Sequence, residues 1–170
     1  MIVAASAYEV ILAIHIMAVV VAFGVTFAYP IMFAVAVRHD PRSLPLLHRV
    51  EHTIERQLIN PGLLFVVLAG IYLASDGHHW SEFFVQWGLG AVIVIGGLIG
   101  SVMIPTAKRA ELLAERDLAS SVASTHPGET AQQAITMSDE YRALTRRLAT
   151  VGSLLSLLVL VTILFMVIKP

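Results

Sequence analysis

Residues 8–37 read YEVILAIHIMAVVVAFGVTFAYPIMFAVAV, and this stretch contains one carboxylate, Glu9, but no Lys or Arg. A helix that crosses a membrane needs about 20 predominantly apolar residues, so the stretch is long enough to span a bilayer. A cleaved signal peptide has an apolar region of about 7–15 residues that follows a basic segment. Because no basic residue precedes Arg38 and the apolar stretch is much longer, we expect a retained membrane helix.

Three further stretches, 58–75, 83–104 and 149–168, have the same apolar character. Over the whole chain, 57% of the residues are hydrophobic and only 14% are charged, whereas about a quarter of the residues in a soluble domain are charged. Inside hydrocarbon, backbone polar groups must bond within their own segment, which favours helices. The sequence therefore predicts an all-α fold, a four-transmembrane-helix bundle that forms a single integral membrane domain over residues 1–170.

The basic residues predict the orientation of this bundle. Ten of the eleven Lys and Arg residues fall in the first and third connections between the spans. They are Arg38, Arg42, Arg49, Arg56, Lys108, Arg109, Arg116, Arg142, Arg146 and Arg147. The positive-inside rule places these connections in the cytoplasm, so that the N- and C-termini lie outside it. The net charge of −1 argues against a nucleic-acid partner, and the absence of cysteine excludes disulfides and thiolate metal ligands.

The long third connection, 105–148, predicts a cytoplasmic helical hairpin between spans three and four. Residues 106–124 read as one helix, His126-Pro127-Gly128 as a turn, and a second helix is expected to run from Glu129 into span four. Apolar residues recur in this second helix at a spacing of three and four, which marks one buried helix face. They are Ala134, Met137, Tyr141, Leu144, Leu148 and Val151.

His15 is the ionisable residue that lies well inside a predicted span, where polar groups are costly and often functional. Ala18, Ala22 and Thr26 follow it on the same helix face at a spacing of three and four. These small side chains leave room beside the imidazole for a flat macrocycle, and neutral imidazole is a common ligand of haem iron. The alternative is that His15 bonds a neighbouring helix while the alanines allow close helix packing.

A second axial ligand is not determined by the sequence. His78 and His79 lie in the outer connection, and Met166 lies near the outer end of span four. A second copy of His15, contributed by another chain in a dimer, is a further alternative.

Two other patterns carry possible chemistry or packing. His48-Arg49-Val50-Glu51-His52 matches the H-x-x-E-H string of some metalloproteases, and His48, His52 and Glu55 share one helix face that could hold a metal ion. The alternative is a charged helix at the membrane surface. Gly96 and Gly100 form a G-x-x-x-G pair, which allows close helix contact within the bundle or in a homodimer.

The spacing of several residues resembles that of the HemJ-like protoporphyrinogen oxidases and related four-helix bacterial membrane families. The resemblance rests on Ala13-Ile14-His15-Ile16 with Pro30, on Glu51, Pro61 and Gly70, and on the closing Met166-Val167-Ile168-Lys169-Pro170. It covers spans one, two and four. Span three lacks the Lys that the family carries, and Gln86 lies near the expected place.

This resemblance implies a four-helix protein of the bacterial inner membrane that binds haem b, with His15 at the haem-ligand position. It also implies oxidation of protoporphyrinogen IX as the family's activity. The first functional hypothesis is therefore a haem-b-binding membrane protein with a redox or haem-handling role. The second is a cofactor-free accessory membrane protein that docks a partner, or joins a larger membrane complex, through its cytoplasmic hairpin.

Overall fold

Helices make up the part of the chain that the computed structural model describes, residues 6–123 and 137–169, and no strand occurs there. Four continuous helical stretches are long and apolar enough to cross a membrane: Ala7–His39, Pro41–Asp76, Phe83–Ser121 and Asp139–Ile168. They confirm the predicted all-α fold with four spans and make the chain a multi-pass membrane protein. The side of the membrane on which each connection lies stays a prediction.

The first stretch begins at a capping box. The Glu9 amide donates a hydrogen bond of 3.2 Å to the Ser6 hydroxyl, and the Ser6 amide donates one of 2.8 Å to the Glu9 carboxylate. These bonds satisfy amides that have no partner inside the helix, so Glu9 serves as a cap residue. Helix α1 covers Ala7–Gly24, a 3₁₀ turn follows at Val25–Phe27, and α2 covers Tyr29–His39.

The second stretch contains a charged helix that leads into an apolar one. A 3₁₀ turn at Pro41–Ser43 precedes α3, Leu44–Ile54. A π-helical segment at Glu55–Ile59 then joins it to α4, Asn60–Asp76. Helix α3 contains the His48-Arg49-Val50-Glu51-His52 string.

The third and fourth stretches include the arms of the predicted hairpin. Helix α5, Phe83–Leu98, continues through a π-helical segment at Ile99–Met103 into α6, Ile104–Ala123. Helix α7 covers Asp139–Ile168. The helix predicted over 106–124 is confirmed by α6. The predicted turn at His126-Pro127-Gly128 and the expected helix start at Glu129 lie outside the described residues.

Each break in these long helices lies beside a proline. Pro30 follows the 3₁₀ turn that ends α1, and the two π-helical segments are followed by Pro61 and Pro105. Proline lacks an amide proton and its ring clashes with the carbonyl four residues earlier, which forces a local adjustment of the helix. The three prolines therefore account for the positions of the three breaks.

The chain divides into two compact units. The first, which we name the His15 unit, includes residues up to Thr26 together with Thr53–Gly96 and the chain from Leu155 onward. In this unit α1 packs against α4, and α5 packs against α7 through Trp87 and Phe165, whose ring centroids are 4.9 Å apart. The Trp87 indole also donates a hydrogen bond of 3.1 Å to the Thr162 hydroxyl.

The second unit, which we name the His48 unit, includes Phe27–His52 and the described part of Gly97–Leu154. Its core is formed by five buried residues, Ala36, Leu44, Ala110, Ala114 and Tyr141. Met137, Leu144 and Leu148 pack against this core, which confirms the buried face that the spacing predicts for the helix entering span four. Ala134, the first residue of that predicted face, lies outside the described residues.

Candidate functional site

His15 lies on α1, half-buried, on the side of the helix that packs against α4. Its ring lies over Gly70, where a Cβ atom would be only 3.3 Å from Cε1 of the imidazole. The backbone at Val66, one helical turn earlier, also faces the ring. The absence of a side chain at position 70 is therefore what lets the imidazole approach the backbone of α4.

One polar atom of this histidine is left without a partner. The Nδ1 atom is buried, and it makes no hydrogen bond of normal geometry to any of the residues in the described ranges. Most buried polar atoms in folded proteins do have a partner. The Nδ1 atom of His48 is likewise buried without a hydrogen bond to a described residue, but a carboxylate lies 3.6 Å from it. The polar group that faces the His15 ring is the backbone at Val66.

Helices α1 and α4 also form an apolar cleft, and His15 is not among the residues that line it. It has a volume of about 240 Å³ and is open on one side. Its walls are Ile11, Ile14, Phe65, Leu68, Ala69 and Tyr72. Pockets that enclose a whole drug-sized ligand have volumes of about 300–1,000 Å³, so α1 and α4 alone can cover only part of a macrocycle.

The other residues predicted to line a cofactor have different surroundings. Ala22 is fully buried, and a Cβ atom at Gly62 would lie 2.8 Å from its methyl group. The Thr26 hydroxyl donates a hydrogen bond of 2.6 Å to the Phe23 carbonyl, and Ala18 is half-buried. Ala22 thus takes part in close packing of α1 on α4, as the alternative interpretation expects, while the roles of Ala18 and Thr26 toward a cofactor stay predictions.

The candidate second ligands make contacts of their own within the His15 unit. His78 has a left-handed backbone, with φ of 56°, and His79 lies 5.9 Å from the Phe84 ring, centroid to centroid. The terminal methyl of Met166 fills the space beside Gly88. None of these described contacts involves His15, so the identity of a second axial ligand remains a prediction.

His48 has a more polar environment in the core of its own unit. It is only 3% exposed, and its Nε2 atom lies 3.3 Å from the Tyr141 hydroxyl. The Glu51 carboxylate lies 3.6 Å from its other ring nitrogen, and the Phe33 ring lies 4.7 Å away, centroid to centroid. These contacts hold the imidazole between α2, α3 and α7, which is the arrangement of a structural core histidine.

The predicted metal alternative included His52 and Glu55 together with His48. His52 is exposed on the surface of α3, whereas Glu55 is half-buried. Within residues 6–123 and 137–169, no group of three or more His, Asp or Glu side chains could hold a metal ion. Binding of a metal by these three residues stays a prediction that the described geometry does not favour.

Polar contacts that the sequence did not indicate join α6 to α7 and α6 to α3. Asp117 is buried, and its carboxylate accepts a hydrogen bond of 2.8 Å from the Ser138 amide at the start of α7. The Ser138 hydroxyl in turn accepts a 3.2 Å hydrogen bond from the Tyr141 amide. Arg49 pairs with Glu111, at 3.4 Å, and with Glu115 on α6. The one sequence signal for the cap is Ser138 itself, a residue type favoured at helix N-termini, directly before Asp139, the first residue of α7.

The G-x-x-x-G pair, Gly96 on α5 and Gly100 in the π-helical segment after it, differs from the glycines that contact a neighbouring helix. Gly62 and Gly70 lie against α1 and Gly88 lies against Met166, whereas Gly96 and Gly100 have no described atom within 4 Å of the position where a Cβ would lie. These two glycines therefore do not mediate a close helix contact within the described part of one chain. A contact with a second chain, as in a homodimer, stays a prediction.

No known protein family, characterised protein or solved structure matches this chain. The resemblance to the HemJ-like oxidases therefore stays a prediction from the spacing of a few residues. The geometry adds one relation between residues on which that resemblance rests, since His15 and Gly70 are in contact.

Proposed function

We propose that this protein binds haem b within the membrane, with His15 as an axial ligand, and serves in electron transfer or haem handling. The observation that carries the proposal is the buried Nδ1 atom of His15, which has no hydrogen bond of normal geometry to a described residue. A buried polar group without a partner destabilises a protein by about 1–3 kcal/mol. Iron bound at Nε2 would keep the proton on Nδ1, and Nδ1 could then donate it to the backbone of α4, which would remove that penalty.

The ring position suits a metal ligand. A ligating imidazole binds metal through one nitrogen, and its other nitrogen donates a hydrogen bond that sets the tautomer and the ring orientation. The Val66 backbone faces the ring, so a small rotation would let Nδ1 donate to a carbonyl of α4. The lone pair of Nε2 would then be available to iron.

The remaining residues have positioning roles in this proposal. Gly70 keeps the face of α4 beside the imidazole free of side chains, and Ile14 and Ala69 belong to the apolar cleft between the same two helices. Because this cleft is small and His15 is not among its walls, most of the bound group would contact lipid or a second copy of the chain. When bound, haem supplies a one-electron redox couple whose potential depends on its ligands and on burial.

We do not extend the proposal to oxidation of protoporphyrinogen IX. Span three, where the resembled family carries a Lys, has no Lys between Phe83 and Ile104. The proposal is therefore limited to haem binding and to the one-electron or haem-transfer roles that a bound haem allows.

The test is an absorption spectrum of the detergent-purified full chain, oxidised and then reduced with dithionite, together with a pyridine haemochrome assay. We expect a Soret band, sharp α and β bands after reduction, and a haem content near one per chain or one per two chains. The His15→Ala variant is expected to lose the Soret band. The His52→Ala variant, which removes an exposed histidine from α3, is the matched control and is expected to retain it.

Two outcomes would contradict the proposal. Haem retained at the wild-type stoichiometry by His15→Ala would show that His15 is not a ligand. A wild-type protein without visible absorbance, even when haem is supplied during expression, would remove the proposal altogether. The second result would favour an accessory membrane protein that binds a partner through the α6 and α7 arms.

A further inference from the structure

Helix α2 is apolar over most of its length and basic at its end. The chain has no Lys or Arg before Arg38, and a second Arg follows at position 42. Both arginine side chains are exposed. Since about 20 apolar residues cross the hydrocarbon, a first basic residue directly after such a stretch lies at the depth of the lipid headgroups.

A shallow groove runs along one face of α2 toward these arginines. It is formed by Pro30, Ile31, Ala34, Val35, Arg38 and His39. Ile31 is 68% exposed and Val35 is 53% exposed, and Ala34, also exposed, is a small residue between them. Positions 31, 35 and 38 follow a spacing of four and three, so they share one helix face. The groove is therefore apolar at one end and cationic at the other.

We propose that this groove binds one anionic phospholipid. Its phosphate pairs with Arg38, with Arg42 nearby in the chain, and one acyl chain lies along Ile31, Ala34 and Val35. The charge of the arginines is complementary to an anionic headgroup. The distance along the helix from Ile31 to Arg38 is about 10 Å at 1.5 Å per residue, which is long enough for several methylene groups of an acyl chain. The predicted orientation places this end of α2 in the cytoplasmic leaflet, where anionic lipids attract basic residues close to a span.

The test measures lipid binding to the purified full chain in a neutral detergent by native mass spectrometry. Phosphatidylglycerol is titrated, and the apparent Kd of the first bound lipid is determined, with phosphatidylcholine as the neutral comparison. Removal of one basic residue near the membrane surface weakens attraction to anionic lipid by about fivefold, and we expect that loss in Arg38→Gln. The Arg116→Gln variant has the same change in net charge at an exposed position of α6 and should bind as the wild type does.

A second variant tests the apolar end of the groove without changing charge. Ala34→Phe fills the groove at an exposed position, so the fold is retained, and it is expected to weaken phosphatidylglycerol binding to a similar extent. Equal losses in Arg38→Gln and Arg116→Gln would mean general charge attraction and would overturn the proposal. Unchanged binding by Ala34→Phe, or displacement of the lipid by millimolar inorganic phosphate, would also overturn it, because either result describes a site for a free anion.

Discussion

His15, in the first unit, and His48, in the second, differ in what surrounds them. His48 is 3% exposed, and one of its ring nitrogens lies 3.3 Å from the Tyr141 hydroxyl and the other 3.6 Å from the Glu51 carboxylate. His15 is half-buried and lies against a glycine and a stretch of backbone, with its Nδ1 atom unpaired among the described residues. The first histidine is held by side chains from several helices, whereas the second faces the backbone of α4.

This difference distinguishes a histidine that stabilises the fold from one whose role is better explained by binding. A buried histidine with polar partners contributes to the folded state, because its removal leaves a cavity and an unpaired hydroxyl. A half-buried histidine that lies against Gly70 and the Val66 backbone contributes less packing energy, so its presence in an apolar span calls for another reason. We therefore expect substitutions at the two positions to have opposite consequences for unfolding and for haem content.

The largest effect is expected from His48→Ala. It should lower the free energy of unfolding by about 3 kcal/mol, from lost packing and from the unpaired Tyr141 hydroxyl. His15→Ala should lower it by about 1 kcal/mol or less in the haem-free protein, since His15 is only half-buried. Both are measured by denaturant titration in mixed micelles, followed by circular dichroism, with His52→Ala as the exposed control.

The comparison fails if the order is reversed. A haem-free His15→Ala protein that is less stable than His48→Ala would make His15 the structural histidine. Its role would then be the helix packing that the alternative interpretation assigns to it.

A smaller loss is expected where α1 and α4 approach most closely. In Gly62→Ala the new methyl group would lie 2.8 Å from the Cβ of Ala22, and neither of these groups can rotate away. The helices must separate, and overpacking of this kind destabilises by about 1–3 kcal/mol. Gly90→Ala is the matched control, because no described atom lies within 4 Å of the new methyl group. Equal stability of the two variants in the same titration would show that α1 and α4 are further apart at Gly62.

The parts of the fold that sequence predicts well are those with a local cause. Apolar length predicts the four spans, and the spacing of Tyr141, Leu144 and Leu148 predicts the buried face of α7. Each of these depends on residues within a few turns of one another. Such patterns reflect the contact of one segment with water, lipid or the core, so they are visible without knowledge of the rest of the chain.

The pairings between distant residues could not be predicted in the same way. His15 was identified as the important residue of α1, but its contact with Gly70 joins positions that one sequence does not link. The His-Arg-Val-Glu-His string is rich in ionisable residues, and it therefore predicts a surface or metal-binding helix face for His48. Its burial depends on Tyr141, 93 residues further along the chain. Periodicity identifies a face, whereas the partner of that face is set by tertiary packing.

The smallest and most specific effect is expected from Tyr141→Phe, which removes only the hydroxyl that faces His48. The ring of Tyr141 is 1% exposed and remains in the core, so the loss is that of one hydrogen bond, about 1 kcal/mol. A double-mutant cycle with His48→Ala isolates this bond, because two residues in contact give non-additive losses.

If the losses at His48 and Tyr141 simply add, no energetic coupling joins the two side chains, and His48 would be buried for its packing on Phe33 alone. Haem content should be unchanged in Tyr141→Phe, since this substitution alters the His48 unit and leaves the contacts of His15 intact.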